Sequence, residues 1–377
     1  MIPCDTKESM KGAFSRDDSL MMKQSLLNVS LSNLSEWLLD QGFPRYHSGQ
    51  IYRWIFEKRA TDFSGMTDLP TRLRAALSDS WIVFSADVFS QHVAPDGTEK
   101  LLLQCSDGRR VECVLMAEAD RRTICISTQV GCGMGCVFCA SGLKGVERNL
   151  TRGEILEQIL RLRNLLPVTE RITNLVVMGM GESLANLDNL IAALDTVCSP
   201  QGLNLGQRRV TISTVGLPEK MHKLAEMDRQ YHLAVSLHAA IPEVRDRLVP
   251  INARVGLNSV MEAADTYFHR SGRQVTFEYV LLSELNDRTE DATALGRLLT
   301  GRKSHVNLIP YNPVQGLPYK RPTDSAIRRF VEIVGHFGVS VSVRKTKGRD
   351  IDAACGQLRR RAEESGENVV GPVLSVS

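Results

Sequence analysis

The sequence contains no apolar run approaching the roughly 20 residues that a membrane span requires, so a transmembrane protein is not expected. Its first 19 residues, MIPCDTKESMKGAFSRDDS, contain no hydrophobic core of the kind that opens a secretory signal, and a cytosolic protein is the expectation. Neither sign of charge dominates. Lys and Arg number 46 and Asp and Glu 43, a net charge of +3, which permits a nucleic-acid partner without requiring one. Nor is there a paired set of cysteines. The count is nine, and an odd number without a secretion signal argues against a disulfide framework. With 43% hydrophobic and 24% charged residues in 377, the composition excludes extensive disorder and collagen-like structure. That length suits one large domain with one or two smaller ones, able to bury a core without disulfides or metals.

Residues 1–20 are polar and read as a tail, as do 362–377. Residues 21–80 carry helical patterns: Trp37, Leu38 and Leu39 in one apolar segment, then Ile51, Trp54 and Ile55 in the next. Gly42-Phe43-Pro44 separates the two, and Pro70 is placed to open a third helix. The apolar runs WIVFSADVF, KLLLQC and RRVECVLM are punctuated by Pro95-Asp96-Gly97 and Asp107-Gly108. They predict an antiparallel meander over 81–122. From residue 123 strand-like runs alternate with helical patterns: 123–128, 173–179, 208–214, 232–237, 275–282 and 305–310. Thr151-Arg-Gly-Glu154 is a capping box ahead of apolar Ile155, Ile159, Leu162 and Leu166. Six strands alternating with helices imply an α/β fold with a parallel sheet; spacing does not say whether it closes into a barrel. The core is expected over 123–314, and VSVSVR (339–344) is a seventh strand candidate.

Sites in parallel α/β sheets lie beyond the carboxyl ends of the strands. There the sequence has Gly131-Cys132, Gly179-Met-Gly-Glu182, Ser213-Thr-Val-Gly216, Ser236-Leu-His238 and Tyr311-Asn312. Most informative is Cys132-x3-Cys136-x2-Cys139 on a glycine-rich loop. Structural zinc wants four closed ligands, and only Cys125, inside an expected strand, is near enough to be a fourth. Buried inert cysteines do not favour a loop of glycines. An iron–sulfur cluster held by three cysteines leaves one iron open, which is what catalysis requires.

The spacing after a first strand resembles that of radical S-adenosylmethionine enzymes. Residues 125–150, CISTQVGCGMGCVFCASGLKGVERNL, with VVMGMGE, RRVTIST, AVSLHA, VPIN, NLIPYNP and VRKTKGRDIDAACGQL, closely resemble the RlmN/Cfr family of radical S-adenosylmethionine RNA methyltransferases. The resemblance runs from the helical N-terminal region to about Leu358. It implies a partial (β/α)6 barrel with a small N-terminal helical domain for RNA binding and a β-meander linker. A C-terminal segment, 315–361, follows.

It implies further that Cys132, Cys136 and Cys139 ligate a [4Fe-4S] cluster whose open iron chelates S-adenosylmethionine. Gly181, Glu182, Ser213, Ser236, Leu237, His238 and Asn312 would line the S-adenosylmethionine site. Cys355 would carry a methyl group as S-methylcysteine. Glu112 would accept the ring proton, and Cys125 would resolve the final adduct through a transient disulfide with Cys355. The chemistry has a reason: an adenine C–H carbon is a poor nucleophile towards a sulfonium methyl, whereas a thiolate is a good one. Read without the family, Glu112 is a solvated strand residue, Cys125 a buried strand cysteine and His238 a satisfied histidine at a strand end.

The implied partners are ribosomal RNA, with transfer RNA as a second substrate, and an electron donor such as flavodoxin or ferredoxin; no membrane partner and a monomer are expected. Adenine C2 of 23S ribosomal RNA is the expected target. The alternatives are C8, as in the Cfr branch, and a non-methylating iron–sulfur RNA-binding or sulfur-transfer protein. The basic run RKTKGR (344–349) beside Cys355 suits an RNA backbone better than RYHSGQIYRWIFEKR (45–59), whose Trp54 and Ile55 read first as a helix core face.

Overall fold

The computed structural model describes residues 23–344, 348, 351–354 and 356–358. Cys4, Cys355, both expected tails and most of the basic run at 344–349 lie outside the described residues.

Three helices come first: α1 (Leu31–Asp40), α2 (His47–Phe56) and α3 (Thr71–Ser80). Ser30 caps α1 by accepting from Asn33 N, and Pro70 stands immediately before α3, where its missing N–H costs nothing. Their apolar faces meet over Leu34, Leu38, Ile51, Ile55, Leu73 and Leu77, all buried. Of the two residues expected on the α2 core face, Ile55 is buried, whereas Trp54 is only partly so, donating to Asp68 under the Lys58 ammonium.

The rest is built on one ten-stranded sheet. Its strands are β1 (Asp87–Val93), β2 (Glu99–Gln104), β3 (Arg110–Glu118), β4 (Arg121–Cys125), β5 (Asn174–Val177), β6 (Val210–Thr214), β7 (His232–Ser236), β8 (Val275–Leu281), β9 (Ser304–Pro310) and β10 (Ser340–Val343). Spatial order follows chain order from one edge to the other. β1 to β4 are antiparallel; β4 to β10 are parallel. The parallel strands are joined by α4 (Arg152–Leu165), α5 (Leu187–Cys198), α6 (Pro218–Glu226), α7 (Pro242–Leu248), α8 (Leu257–Ser271), α9 (Thr289–Leu299) and α10 (Asp324–His336). This is the expected α/β partial barrel, open at both edges, with the seventh parallel strand present as β10. The meander does not stand apart from it. β3 pairs directly with β4, so the antiparallel strands extend the barrel sheet.

The expected capping box is formed: Thr151 Oγ1 accepts from Glu154 N, and the Glu154 carboxylate accepts from Thr151 N. α4 also ties the N-terminal helices down through arginines. Arg163 donates to the carbonyls of Ile55 and Phe56 at the end of α2; Arg59 returns the contact to Leu166 and Pro167 at the end of α4. Arg152 bridges Leu27 O and Val29 O to Thr196 Oγ1. Glu157 of α4 is fully buried and accepts from Ser85 N at 2.8 Å, Ala86 N at 3.0 Å and Arg161 Nε at 2.8 Å, fixing the chain entering β1. Replacing one partner of such a set leaves buried donors unsatisfied. Glu157→Ala is therefore expected to cost about 3 kcal/mol in urea unfolding, with an unchanged denaturant slope.

Candidate active site

Side chains alternate across a strand, so the pairing fixes which residues share the face turned away from the helices. In the parallel half that inner face carries Val176, Ser213, Ser236, Glu278 and Asn307. It continues across the antiparallel half: Cys125 lies opposite Val114, and Val114 opposite Lys100, with Glu112 one rung along on the same side.

The cysteine loop closes over the carboxyl ends of the parallel strands. Gly131, at φ +78°, opens it; a Cβ there would lie 2.1 Å from Gly145 O, so only glycine fits. Cys132 N donates to Gly145 O and Val137 N to Leu248 O at the end of α7. Opposite, Gly181 adopts φ +102° with a Cβ position 2.6 Å from the Gln129 side chain, which lets the loop after β5 press against the start of the cysteine loop. Ser127 joins these parts: its Oγ donates to Glu112 O and accepts from Met180 N, and its backbone is held by Gln158 of α4.

Between loop and sheet lies a cavity of about 160 Å³. Cys132, Cys136 and Cys139 are on its wall, and so are Gly181, Glu182, Ser213, Ser236, His238 and Asn312 from four different strand ends. Leu237 is not: its side chain is in the core, while its backbone accepts from the buried Arg245. Glu112 and Cys125, 3% and 7% exposed, lie beside the cavity on the same sheet face rather than on its wall. Glu112 is paired with Lys100, not solvated. None of the seven described cysteines is in a disulfide. The C-terminal segment closes one side: Ala140 N donates to Gly356 O, Ser141 Oγ to Leu358 O and Gln357 Nε2 to Pro313 O, and Gly356 and Leu358 line the cavity.

Family models and relatives match this architecture. Residues 24–83 match the model of the ribosomal RNA large subunit methyltransferase N-terminal domain, and 126–295 that of the radical SAM superfamily. The chain is 54% identical over 342 residues to a probable dual-specificity RNA methyltransferase RlmN of Rhodopirellula baltica, covering 91% of this chain and 92% of that protein. A protein of the same description from Symbiobacterium thermophilum is 44% identical over 90% of this chain and 92% of its own length. The chain belongs to the RlmN family. A radical SAM methyltransferase of solved structure from Sphaerobacter thermophilus superposes with a TM-score of 0.87 at 41% identity, over 89% of this chain and 99% of that one.

Family membership implies S-adenosylmethionine and a [4Fe-4S] cluster, and the residues fit the cluster. The three cysteines face one cavity, yet among the described residues no three ligating groups converge on a single ion. Three thiols on one wall suit a cubane, which asks each thiolate to meet a different iron. Burial above all pushes the Cys132 thiol up to about 12, so the thiols must shed protons to bind iron. Glu182 accepts from Leu184 N at 3.0 Å and Val215 N at 2.9 Å, which aims its carboxylate without using all its lone pairs.

Sequence reasoning missed Glu278, 5% exposed on the cavity wall, where Asn307 Nδ2 donates to its carboxylate and burial raises its pKa. The signal was available: a carboxylate in the middle of the apolar run VTFEYVLL. Met178 of the wall was missed too, with less to mark it, whereas Tyr311, expected at a strand end, is on the wall.

His238 stands at φ +61°, unusual for a residue with a Cβ, and its Nδ1 accepts from Val280 N at 3.1 Å. The neutral ring therefore carries its proton on Nε2. Burial, helped by Arg245, lowers its pKa to about 3. Below the unfolded value of 6.5 the unfolded chain binds a proton that the folded protein refuses, so this ring's contribution is complete above pH 6.5 and lost as pH falls towards 3. Between pH 6.5 and about pH 5 the loss is about 2 kcal/mol. His238→Gln should flatten the pH dependence of urea unfolding by that amount; an unchanged slope would show that the ring is already charged in the fold.

Proposed function

We propose that this chain is a radical S-adenosylmethionine RNA methyltransferase that methylates C2 of an adenine in 23S ribosomal RNA, with transfer RNA as a second substrate. One observation carries the reading: the cysteine triad shares one cavity wall with Gly356 and Leu358 of the C-terminal segment, and the buried Glu112 carboxylate lies beside that cavity on the same sheet face. The dual specificity in the names of the relatives supports two RNA substrates.

Cys132, Cys136 and Cys139 hold the [4Fe-4S] cluster. Gly181, Glu182, Ser213, Ser236, Leu237, His238 and Asn312 form the S-adenosylmethionine site, with Leu237 acting through its backbone. A cluster held by these residues would supply the electron for reductive cleavage of S-adenosylmethionine to methionine and a 5′-deoxyadenosyl radical. The Cys355 thiolate first takes a methyl group from one S-adenosylmethionine by displacement, with S-adenosylhomocysteine as leaving group. After hydrogen abstraction the S-methylene radical adds to the adenine ring, and the adduct radical gives one electron back to the centre that supplied it, leaving RNA joined to Cys355. Glu112, in a site largely closed to water, takes the ring proton. The Cys125 thiol, losing its proton, then attacks the Cys355 sulfur; the carbon–sulfur electron pair stays with the methylene carbon, which takes up a proton to become the methyl group, and the base leaves behind a disulfide.

The protein acts in the cytoplasm as a monomer and receives electrons from a flavodoxin- or ferredoxin-type donor. No helix among the described residues is long and apolar enough to cross a membrane.

The test uses anaerobically reconstituted protein with S-adenosylmethionine, a reductant and unmodified ribosomal RNA, followed by nuclease digestion and mass spectrometry. The expected product is 2-methyladenosine. 8-Methyladenosine would transfer the protein to the Cfr reaction, and cofactor cleavage without a methylated base would remove the RNA assignment. Cys136→Ala should lose the cluster's visible absorbance and all turnover. Cys355→Ala should keep the absorbance and cleave S-adenosylmethionine but methylate nothing.

A further inference from the structure

Lysine is almost never fully buried unless paired. Lys100 of β2 has a side chain only 7% exposed, and its ammonium lies 2.8 Å from Oε1 of Glu112, whose side chain is 4% exposed. The same ammonium donates to Asp352 O at 3.4 Å. Asp352 is three residues before Cys355 in the chain. A second anchor holds the same segment: Gly348 N donates to Asp96 Oδ2 at 3.0 Å, in the turn between β1 and β2. Gly348 is at φ +59°, and a Cβ there would press within 3 Å of both Ala353 and Thr98, so the segment lies tight against the hairpin.

Burying an ion pair gives little net stability over apolar residues of the same shape, because desolvation offsets the attraction. The packing of β2 against β3 therefore gives no reason for a lysine at this position. The chemistry does. A carboxylate that must accept a proton has to be ionised beforehand, and burial alone favours the neutral acid.

Resting on the function proposed above, we infer that Lys100 is a positioning residue: it keeps the Glu112 carboxylate in its proton-accepting form and clips to it the segment that carries Cys355. The other titratable groups sharing this face are His92 on β1, directly opposite Lys100, and Cys125 on β4; Asp352 belongs to the segment itself. Burial and Lys100 together lower the His92 pKa, and the cation in direct contact with Glu112 is the Lys100 ammonium. Base and methyl carrier are thus joined through one ammonium. The ring proton is collected where the segment is held.

The experiment compares full-length, reconstituted wild type, Lys100→Met and Lys100→Arg. Three readouts are taken: methylation of the Cys355 peptide by mass spectrometry, RNA–protein adduct on a denaturing gel, and the pH profile of methyladenosine formation. Lys100→Met is expected to load its methyl group and cleave S-adenosylmethionine normally. Its methyladenosine formation should fall roughly 10²-fold at neutral pH, the low end of a general base's contribution, while adduct accumulates. The deficit should shrink as pH rises, and Lys100→Arg, which keeps the charge, should recover most of the rate. Wild-type rates in Lys100→Met, or an unshifted pH profile, would overturn the inference. So would loss of Cys355 methylation in both variants, since the lysine would then only build the site. If wild type itself forms no methyladenosine, the proposed function fails and this inference with it; against an active wild type the variants test Lys100 alone.

Discussion

The site depends on the register of β4. That strand is paired antiparallel with β3 through Cys125 and Val114 and parallel with β5 through Cys125 and Val176. It is the seam between the two halves of the sheet. Side chains alternate, so a slip of one residue would turn Glu112 and Lys100 towards the helices while Ser213, Ser236 and Glu278 still faced inward. The register is held from outside the strand. Ile124, fully buried, faces the helix layer, and the Ser127–Gln158 bonds pin the chain just beyond β4 to α4. α4 thus locks the seam, and through Arg163 and Arg152 it also fixes the N-terminal helices.

Around this seam the protein gathers charge in places where burial makes charge expensive. Glu182, Glu278, Lys100, Glu112 and Arg245 are each no more than 6% exposed, and each has named partners in carbonyls, amides or an opposite charge. Arg245 is fully buried and binds carbonyls just past the ends of β6 and β7, which ties two loops of the cavity wall to α7. Donors and acceptors held by such partners in a largely closed site act more strongly than they would in water.

Particular residues show how far the sequence could be read. Thr151 and Glu154 form their capping box because both partners lie three residues apart, a local fact. The parallel strands were visible as apolar runs because their two faces are both covered. The triad was visible because its spacing is short. Glu112 was different. Alone it read as a solvated strand residue, and what contradicts that is Lys100, twelve positions earlier and on another strand. Trp54 likewise read as core, but Asp68 and Lys58 draw it to the edge of the N-terminal helices.

The alternation of strands and helices, the cysteine loop and the residues at the strand ends were legible in the chain, because each depends on periodicity or spacing within a few residues. Tertiary structure alone decided that the meander joins the barrel sheet, that Glu112 and Lys100 are buried as a pair, and that the C-terminal segment closes the cavity. Those outcomes rest on contacts such as Lys100 with Asp352 and Ser141 with Leu358, between residues more than 200 positions apart. No local pattern encodes such a contact. It exists only once the sheet has brought the two chain segments to the same face.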